Sequence, residues 1–305
     1  MKNELNYLSI PNSGIRLSVT NVCNMDCFYC HNEGQDKYKR YDLSFADFEN
    51  IVDIGLQFGL RSVSFTGGEP LLNPDIFKMI AYCEKIGLPK IDLCTNGILI
   101  NKYIDQLKKV KNLALTIGID TVDKEKISKQ SKIGKKFSEI ENNLFLLEKN
   151  KIKFSINSVY VCENFDDIVE MIEYCKENKF ELRIIEMDTY KKITEEKISE
   201  SFSEFIKKIE KEFYLKIGYM QPGKGFFGIH KNRARVNFYN AKCHSRDCLN
   251  CARCHFRIDS LGYAIPCYAK DLRIPLLVKN SETAKQNFLK AIYNLGIPPE
   301  KESFL

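Results

Sequence analysis

Residues 16–31 read RLSVTNVCNMDCFYCH, a β-rich run that leads directly into Cys23, Cys27 and Cys30. More than fifty positions then pass before the next cysteine. Thiolates bind iron and zinc, but a structural zinc site needs four protein ligands. His31 could be a fourth ligand, yet it directly follows Cys30, so we expect its side chain to point away. The spacing therefore favours an iron-sulfur cluster with one open iron, and structural zinc is the alternative.

Composition places the chain among soluble globular proteins. Of its 305 residues, 44% are apolar and 28% are charged, and no run of about 18 apolar residues predicts a membrane span. The start, MKNELNYLSI, lacks signal-peptide features, so we expect a cytoplasmic protein whose clustered cysteines bind metal rather than form disulfides. The net charge of +6 is spread over helical faces, so no nucleic-acid partner is expected. The scattered cysteines are predicted to be small core residues; they are Cys83, Cys94, Cys162 and Cys175.

Six β-rich runs alternate with helix-length segments, and this alternation predicts an α/β fold with a parallel sheet. The runs are RLSVT, SVSFT, KIDLC, LALTIGI, KFSINSVYV and ELRIIEM. Six units, rather than eight, predict an open, partial TIM-like (β/α)6 barrel with its chemistry at the carboxyl ends of the strands. The pattern then changes to the glycine-rich QPGKGFFG and a second group of cysteines. We therefore predict a barrel over residues 1–216 and a small auxiliary domain over residues 217–305.

The Cys-x3-Cys-x2-Cys spacing, with Tyr29 before the last cysteine, resembles the signature of the radical S-adenosylmethionine (SAM) enzymes. The resemblance implies a [4Fe-4S] cluster whose open iron binds SAM through its amino and carboxylate groups. It also implies that one electron, from a donor such as flavodoxin or ferredoxin, cleaves SAM to a 5'-deoxyadenosyl radical. In such an enzyme the cluster and SAM would carry out the radical step, and the protein would bind and orient them.

The resemblance extends to the expected SAM contacts, which are Tyr29, Gly67, Gly68, Glu69, Thr95, Asn96 and Arg183. FTGGEP resembles the family motif that holds the SAM ammonium group, and TNG resembles the segment near the SAM ribose. Alone, these two motifs would predict only a loop and a turn. Arg183 lies in an apolar strand and is expected to meet the SAM carboxylate, with Glu186 as its structural partner in the alternative interpretation.

Most of the chain is similar to the GTP cyclases of molybdenum-cofactor biosynthesis, which carry a second cluster near the carboxyl terminus. The LGYAIPC turn also resembles the auxiliary-cluster domains called SPASM and Twitch. The resemblance implies a second [4Fe-4S] cluster, with predicted ligands Cys248, Cys251, Cys254 and Cys267. Cys248 is expected to close this cluster, because a thiolate near an open iron outcompetes a neutral ligand. A four-thiolate zinc site is the alternative, and Cys243 is a fifth thiol nearby.

No catalytic residue is predicted from sequence, and the expected substrate contacts are Arg16, Asn157 and Arg257. Two positions that are basic in the cyclases are Ser64 and Ser155 here, which argues against GTP as the substrate. The leading hypothesis is hydrogen abstraction from a small molecule, with nucleotide-like compounds as candidates. The alternative is a peptide that is crosslinked or epimerised, although only 22 residues precede Cys23. A non-enzymatic iron-sulfur electron carrier or zinc protein would need the cysteines but not GGEP or TNG.

Overall fold

The computed structural model describes residues 10, 14–27, 29–30, 39–132, 134, 137–187, 202–213, 216–219, 226–229, 235–239, 256–266 and 272–294. All structural statements below concern these residues. Within them, no helix combines the length and apolar character needed to cross a membrane.

Six parallel strands, each followed by at least one helix, form the body of the molecule, and this confirms the predicted partial barrel. The strands are β1 Gly14–Thr20, β2 Ser62–Gly67, β3 Lys90–Thr95, β4 Leu113–Gly118, β5 Phe154–Tyr160 and β6 Leu182–Glu186. They pair in chain order. The helices are α1 Phe45–Gln57, α2 Ile76–Lys85, α3 Ile100–Leu107, α4 Lys124–Gln130, α5 Phe137–Lys149, α6 Phe165–Asn178 and α7 Phe202–Phe213.

The two faces of the sheet differ in polarity. On the outer face, apolar side chains pack under the helices: Ile15 of β1 lies against α1, and Tyr160 of β5 stacks on Phe205 of α7 with ring centroids 3.8 Å apart. The inner face instead carries polar residues such as Arg16 and Thr66, which are joined by a hydrogen bond. Alternate residues of a strand point to opposite faces of the sheet. The apolar core therefore lies between the sheet and the surrounding helices, and polar side chains line the inside of the barrel.

Strands from beyond residue 216 extend both edges of the parallel sheet. Strand β9 Arg235–Tyr239 pairs parallel to β6, and β10 Phe256–Ile258 pairs parallel to β1. Antiparallel strands complete a twelve-stranded sheet; they are β7 Lys216–Tyr219, β8 Phe226–Ile229, β11 Tyr263–Ile265 and β12 Ile274–Pro275. One sheet thus contains strands from both sides of residue 216, and the domain boundary there stays a prediction.

Helix α8 Ser281–Asn294 covers the outer face at the β10 edge. Its Phe288 stacks on Phe256 of β10 at 4.6 Å and on Phe58, just after α1, at 5.5 Å. These ring pairs contribute about 0.5–1.5 kcal/mol each beyond the area they bury. The carboxyl-terminal helix is therefore part of the hydrophobic core of the barrel rather than a separate appendage.

Three of the scattered cysteines have side chains that the structure describes. Cys83 and Cys175 are buried within helices α2 and α6, which confirms them as core residues. Cys94 was predicted wrongly: it is half-buried on the polar inner face, where its sulfur lies 3.7 Å from Arg16 Nη1. Strand alternation explains the difference, because Leu93 takes the outward position and turns Cys94 inward. The side chain of Cys162 lies outside the described residues.

Candidate active site

The cysteine loop, residues 21–30, begins where β1 ends and is fastened from one side by helix α4. The Asp26 amide donates to the Gln130 carbonyl at 2.8 Å, and the Lys132 amide donates to the Asn24 carbonyl at 3.0 Å. The loop is therefore held at the carboxyl ends of the strands, where barrels of this type carry their chemistry.

The three thiols of the cysteine loop differ in exposure. Cys23 and Cys27 are half-buried, whereas Cys30 is exposed. Cys23 Sγ accepts a hydrogen bond from the Met25 amide at 3.4 Å. Burial raises the pKa of Cys23 to about 11 and the pKa of Cys27 to about 12. Metal ligation requires thiolates, so metal binding at this loop must release protons from both residues.

Two glycines at the end of β2, Gly67 and Gly68, pack directly on the backbone around the first cysteine. A Cβ on Gly67 would lie 2.2 Å from the Thr20 carbonyl oxygen, and a Cβ on Gly68 would lie 2.1 Å from the Val22 carbonyl oxygen. The Gly68 amide donates to Thr20 at 2.8 Å, and the Glu69 amide donates to Val22 at 2.7 Å. Any larger residue would push the two loops apart, so the glycine pair is required for contact between GGEP and the cysteine loop.

The carboxylate of Glu69 is fully buried and joins the GGEP and TNG motifs. Its Oε1 accepts hydrogen bonds from the Thr95 hydroxyl at 2.7 Å and the Leu71 amide at 3.0 Å, and its Oε2 accepts from the Asn96 amide at 2.8 Å. Burial raises the pKa of Glu69 to about 7, although these donors oppose the shift. The carboxylate therefore positions the TNG segment, a role that the motif resemblance alone did not reveal.

Asn96 continues the connection back to the cysteine loop. Its Oδ1 accepts from the Ile98 amide at 3.1 Å, which turns its Nδ2 toward Asn24 Oδ1 at 2.7 Å. The same Nδ2 lies 3.8 Å from Cys23 Sγ. We call this connected series the Glu69–Asn96–Asn24 chain. Sequence reasoning missed Asn24, because an asparagine between two cysteines is equally typical of an ordinary turn.

A second buried carboxylate supports the other end of the cysteine loop. The Tyr29 phenol donates a short hydrogen bond to Asp120 Oδ2, and Asp120 Oδ1 accepts from the Val159 amide at 2.6 Å. Burial raises the pKa of Asp120 to about 6 and raises the pKa of Tyr29 as well. Tyr29 thus connects the cysteine loop to the carboxyl end of β4. Asp120 was not predicted, because only the fold brings it opposite the tyrosine.

Two of the expected substrate contacts are neighbouring arginines on the inner face. Arg16 of β1 and Arg257 of β10 are direct register partners in adjacent parallel strands. The Arg16 guanidinium donates to Thr66 Oγ1 at 3.2 Å. Two cations therefore share one face of adjacent strands at this edge of the barrel. Their contact with a substrate stays a prediction.

Arg183 has a different partner from the one expected. Its Nε donates to Glu181 Oε1 at 3.1 Å, and its side chain remains 36% exposed. Glu186 was the wrong choice of structural partner, because residues three apart on a strand point to opposite faces while residues two apart share one. The guanidinium is therefore only partly buried, and its expected contact with the SAM carboxylate stays a prediction.

Asn157 lies on the inner face between Gly118 of β4 and Arg183 of β6 in the strand register. Its Oδ1 is buried and has no hydrogen-bond partner among the described residues. A Cβ built on Gly118 meets only the Thr95 carbonyl oxygen, at 4.0 Å, so space is open beside the amide. This arrangement is consistent with the predicted substrate contact, which stays a prediction.

The predicted auxiliary-cluster ligands all lie outside the described residues; they are Cys248, Cys251, Cys254 and Cys267, as is Cys243. The described residues nearby form a hairpin of β10 and β11. There Asp259 accepts from the Tyr263 amide at 2.9 Å and pairs with Arg273 at 3.0 Å. In the described part of the chain, no group of three or more His, Cys, Asp or Glu side chains is placed to hold a single metal ion.

A family model of the radical SAM superfamily matches residues 17–204, which include the end of β1, strands β2 to β6 and the cysteine loop. The protein belongs to this superfamily and is a radical SAM enzyme. Among curated relatives, a probable GTP 3',8-cyclase of Methanococcus vannielii is 30% identical over 288 residues, covering 92% of this chain and 93% of the relative. A probable GTP 3',8-cyclase of Methanocaldococcus jannaschii is 27% identical over 260 residues, covering 84% and 85%.

Solved structures support the fold. Streptococcus suis SuiB bound to its precursor peptide SuiA has a TM-score of 0.69 at 20% identity, covering 95% of this chain and 66% of that chain. Native anSMEcpe with bound AdoMet has a TM-score of 0.66 at 21% identity, covering 90% and 80%. At these identities the likeness establishes the shared architecture alone.

Membership of the superfamily implies SAM and a [4Fe-4S] cluster, and the residues at this site fit both. Three thiols lie on one loop, two of them half-buried. Beside them Asn24 Nδ2 is a buried donor without a partner among the described residues. Such an orphaned donor is costly unless a bound group accepts its hydrogen bond.

Proposed function

We propose that the protein uses SAM to take a hydrogen atom from a carbon of a small substrate, with nucleotide-like compounds as the first candidates. The observation that carries this proposal is the Glu69–Asn96–Asn24 chain. In it Glu69 of GGEP bonds to the Asn96 amide of TNG at 2.8 Å, and Asn96 Nδ2 bonds to Asn24 Oδ1 at 2.7 Å. Asn24 directly follows Cys23 in the chain. An electron carrier or a zinc protein has no need for this arrangement beside its cysteines.

When bound, the cluster and SAM supply the one-electron cleavage that generates a 5'-deoxyadenosyl radical. The chain's own residues bind and orient these groups. Cys23, Cys27 and Cys30 would hold three irons of the cluster and leave the fourth for SAM. The tight packing of Gly68 against the cysteine loop sets how far the GGEP segment stands from the cluster. Glu69 accepts hydrogen bonds from Thr95 and from the Asn96 amide. The backbone of the TNG segment is therefore ordered before SAM binds.

The lining of the barrel supports a substrate with limited negative charge. Among the described residues, cations on the inner face include Arg16 of β1, Arg257 of β10 and Arg183 of β6. Lys90 of β3 is already paired with Asp92 at 2.9 Å. Across the middle of the sheet, Ser64 and Ser155 occupy inner positions that are basic in the cyclases. A triphosphate would need more cationic contacts than these. The relatives are named as GTP cyclases, but we propose a substrate other than GTP.

A peptide substrate is the second candidate, and the small side chains on the inner face favour it. Ser64, Ser155 and Gly118 are small, and a Cβ on Gly118 would meet nothing closer than 4.0 Å. Solved relatives of this fold include SuiB bound to the precursor peptide SuiA. A peptide backbone would find hydrogen-bond partners such as Asn157 there without needing cations.

A second [4Fe-4S] cluster on Cys248, Cys251, Cys254 and Cys267 is part of the proposal, with Cys248 as the closing ligand. A cluster with four thiolates would transfer electrons or stabilise its domain and would not bind substrate directly. A low-potential donor such as flavodoxin or ferredoxin would reduce the first cluster. We place the protein in the cytoplasm, where free thiols remain reduced.

The test is SAM turnover by reconstituted, anaerobic protein with a strong reductant, read as 5'-deoxyadenosine by mass spectrometry. The matched control replaces all three cysteines of the cysteine loop with alanine. We expect 5'-deoxyadenosine from the wild-type protein and none from the control. If a fully reconstituted, reduced wild-type protein forms no 5'-deoxyadenosine, the electron-carrier or zinc-protein alternative replaces this proposal. Panels of nucleotides and peptides then separate the two substrate classes by the increase in turnover that each causes.

A further inference from the structure

Asn24 is the member of the Glu69–Asn96–Asn24 chain with an unused hydrogen-bond donor. Its side chain is 7% exposed, and its Nδ2 is buried with no partner among the described residues. A buried amide donor without an acceptor is destabilising, and such groups in native proteins call for an explanation.

The orientation of this amide is determined by its neighbours. Asn96 Oδ1 accepts from the Ile98 amide at 3.1 Å, so Asn96 must present its Nδ2 to Asn24. Asn24 must therefore accept through its Oδ1, and the Asn96 Nδ2–Asn24 Oδ1 distance of 2.7 Å agrees with this. The amide group of Asn24 is therefore turned away from Asn96 and cannot exchange places with the oxygen.

The same amide lies beside the first cysteine. Asn24 Oδ1 and Cys23 Sγ are 4.0 Å apart, and Asn96 Nδ2 is 3.8 Å from that sulfur. The oxygen and nitrogen of a carboxamide are separated by less than the sum of two bond lengths, so Asn24 Nδ2 lies within one carboxamide width of an atom that is 4.0 Å from Cys23 Sγ. The acceptors that a [4Fe-4S] cluster would bring to this position are sulfur atoms.

We propose that Asn24 Nδ2 donates a hydrogen bond to a sulfur of the cluster held by Cys23, and that this bond raises the reduction potential of the cluster. The inference rests on the proposed function, because it requires the cluster. Reduction adds negative charge to the cluster sulfurs, so a donor beside them stabilises the reduced state more than the oxidised state. Asn24 contacts the cluster here and tunes its reduction potential, and it does not touch the substrate.

The test is a redox titration of the reconstituted protein without SAM, followed by electron paramagnetic resonance. In Asn24→Ala, we expect the ratio of reduced to oxidised cluster at a fixed potential to fall about tenfold, which for one electron is about 59 mV. Asn24→Asp keeps the acceptor for Asn96 and should assemble its cluster even if the alanine variant does not. It should shift the potential in the same direction, since it too lacks the donor.

The matched control is Asn21→Ala. Asn21 is also buried and lies two residues before Cys23, but its side chain bonds to the backbone of Lys39 and Tyr41. Its replacement should lower stability and leave the potential unchanged. An Asn24→Ala variant with normal iron content and the wild-type potential would overturn the inference. So would an unchanged potential together with weaker SAM binding, which would assign the amide to SAM.

These outcomes are separable from failure of the proposed function. If the wild-type protein assembles no cluster on its cysteine loop, the proposed function fails. If the wild-type cluster forms and cleaves SAM while Asn24→Ala keeps its potential, only the role of Asn24 fails.

Discussion

Replacing Glu69 with glutamine should change how the stability of the protein depends on pH. Burial raises the pKa of this carboxyl from 4.5 to about 7, so between these values the folded protein holds a proton that the unfolded chain has released. The sign follows from proton linkage: the stabilising contribution is fully present below about pH 4.5 and is lost as the pH rises through about 7.

The magnitude can be worked from that shift. Integrated between pH 5 and pH 8, the Glu69 carboxyl alone should lower the free energy of unfolding by about 2–3 kcal/mol. No discount for solvent screening applies, because the side chain is fully buried. Asp120, whose pKa is raised to about 6, should add about 1–2 kcal/mol over the same interval, with most of its effect at lower pH.

Urea unfolding of iron-free protein at pH 5, 6, 7 and 8 measures this dependence without the charge of a cluster. In Glu69→Gln the loss of stability between pH 6 and pH 8 should largely disappear, whereas Asp120→Asn should retain it and flatten the curve below pH 6. A glutamine variant with the wild-type slope above pH 6 would show that Glu69 is ionised throughout, with its three donors outweighing burial.

The remaining predictions concern packing, substrate and the second cluster. Gly68→Ala should lower stability by about 1–3 kcal/mol and reduce iron content, because its Cβ would lie 2.1 Å from the Val22 carbonyl oxygen. The control Gly118→Ala, with open space, should do neither, and equal behaviour of the two variants would refute the packing argument. GTP should bind weakly in calorimetry, since Ser64 and Ser155 supply no charge; tight, salt-sensitive binding would contradict this. Cys248→Ala should keep an auxiliary cluster but open one iron to small ligands, and a non-cysteine ligand already present on that cluster in the wild-type protein would exclude Cys248 as its closing ligand.

The strands of the barrel could be predicted because local pattern and burial agree in them. The run KIDLC places Ile91 and Leu93 under the helices and Asp92 inside, as alternation requires. The first helix also has a local signal, since the Ser44 hydroxyl accepts from the Asp47 amide at 3.2 Å as its N-cap. Features that depend on neighbouring residues of one element were therefore accessible from sequence.

Features that depend on pairing between distant segments were not accessible. Strands β9 and β10 are short, and nothing local shows that they continue the parallel sheet at opposite edges. The partners Asp120 and Tyr29 are 91 positions apart and meet only because β4 ends beside the cysteine loop. Asn24 gives no sign of its unused donor until Asn96, 72 positions later, fixes its orientation.

The cysteine triad was recognisable because its spacing is specific to one kind of metal group. The GGEP and TNG motifs were located correctly at strand ends, but their mutual connection through Glu69 was not foreseen. Strand periodicity could have corrected the partner of Arg183, because Glu181 is two positions away and Glu186 is three. Glu186 was chosen for its closeness to Arg183 in sequence, without asking whether the two side chains share a face of the sheet.

The central claim is that three cysteines hold a cluster whose fourth iron is left for SAM. Electron-nuclear double resonance on the reduced protein, with SAM isotope-labelled in its carboxylate and amino groups, measures this directly. The account predicts magnetic coupling of both labels to the cluster, lost when the three cysteines of the cysteine loop are replaced by alanine. A reduced cluster on that loop that shows no coupling to either label at saturating SAM would contradict it.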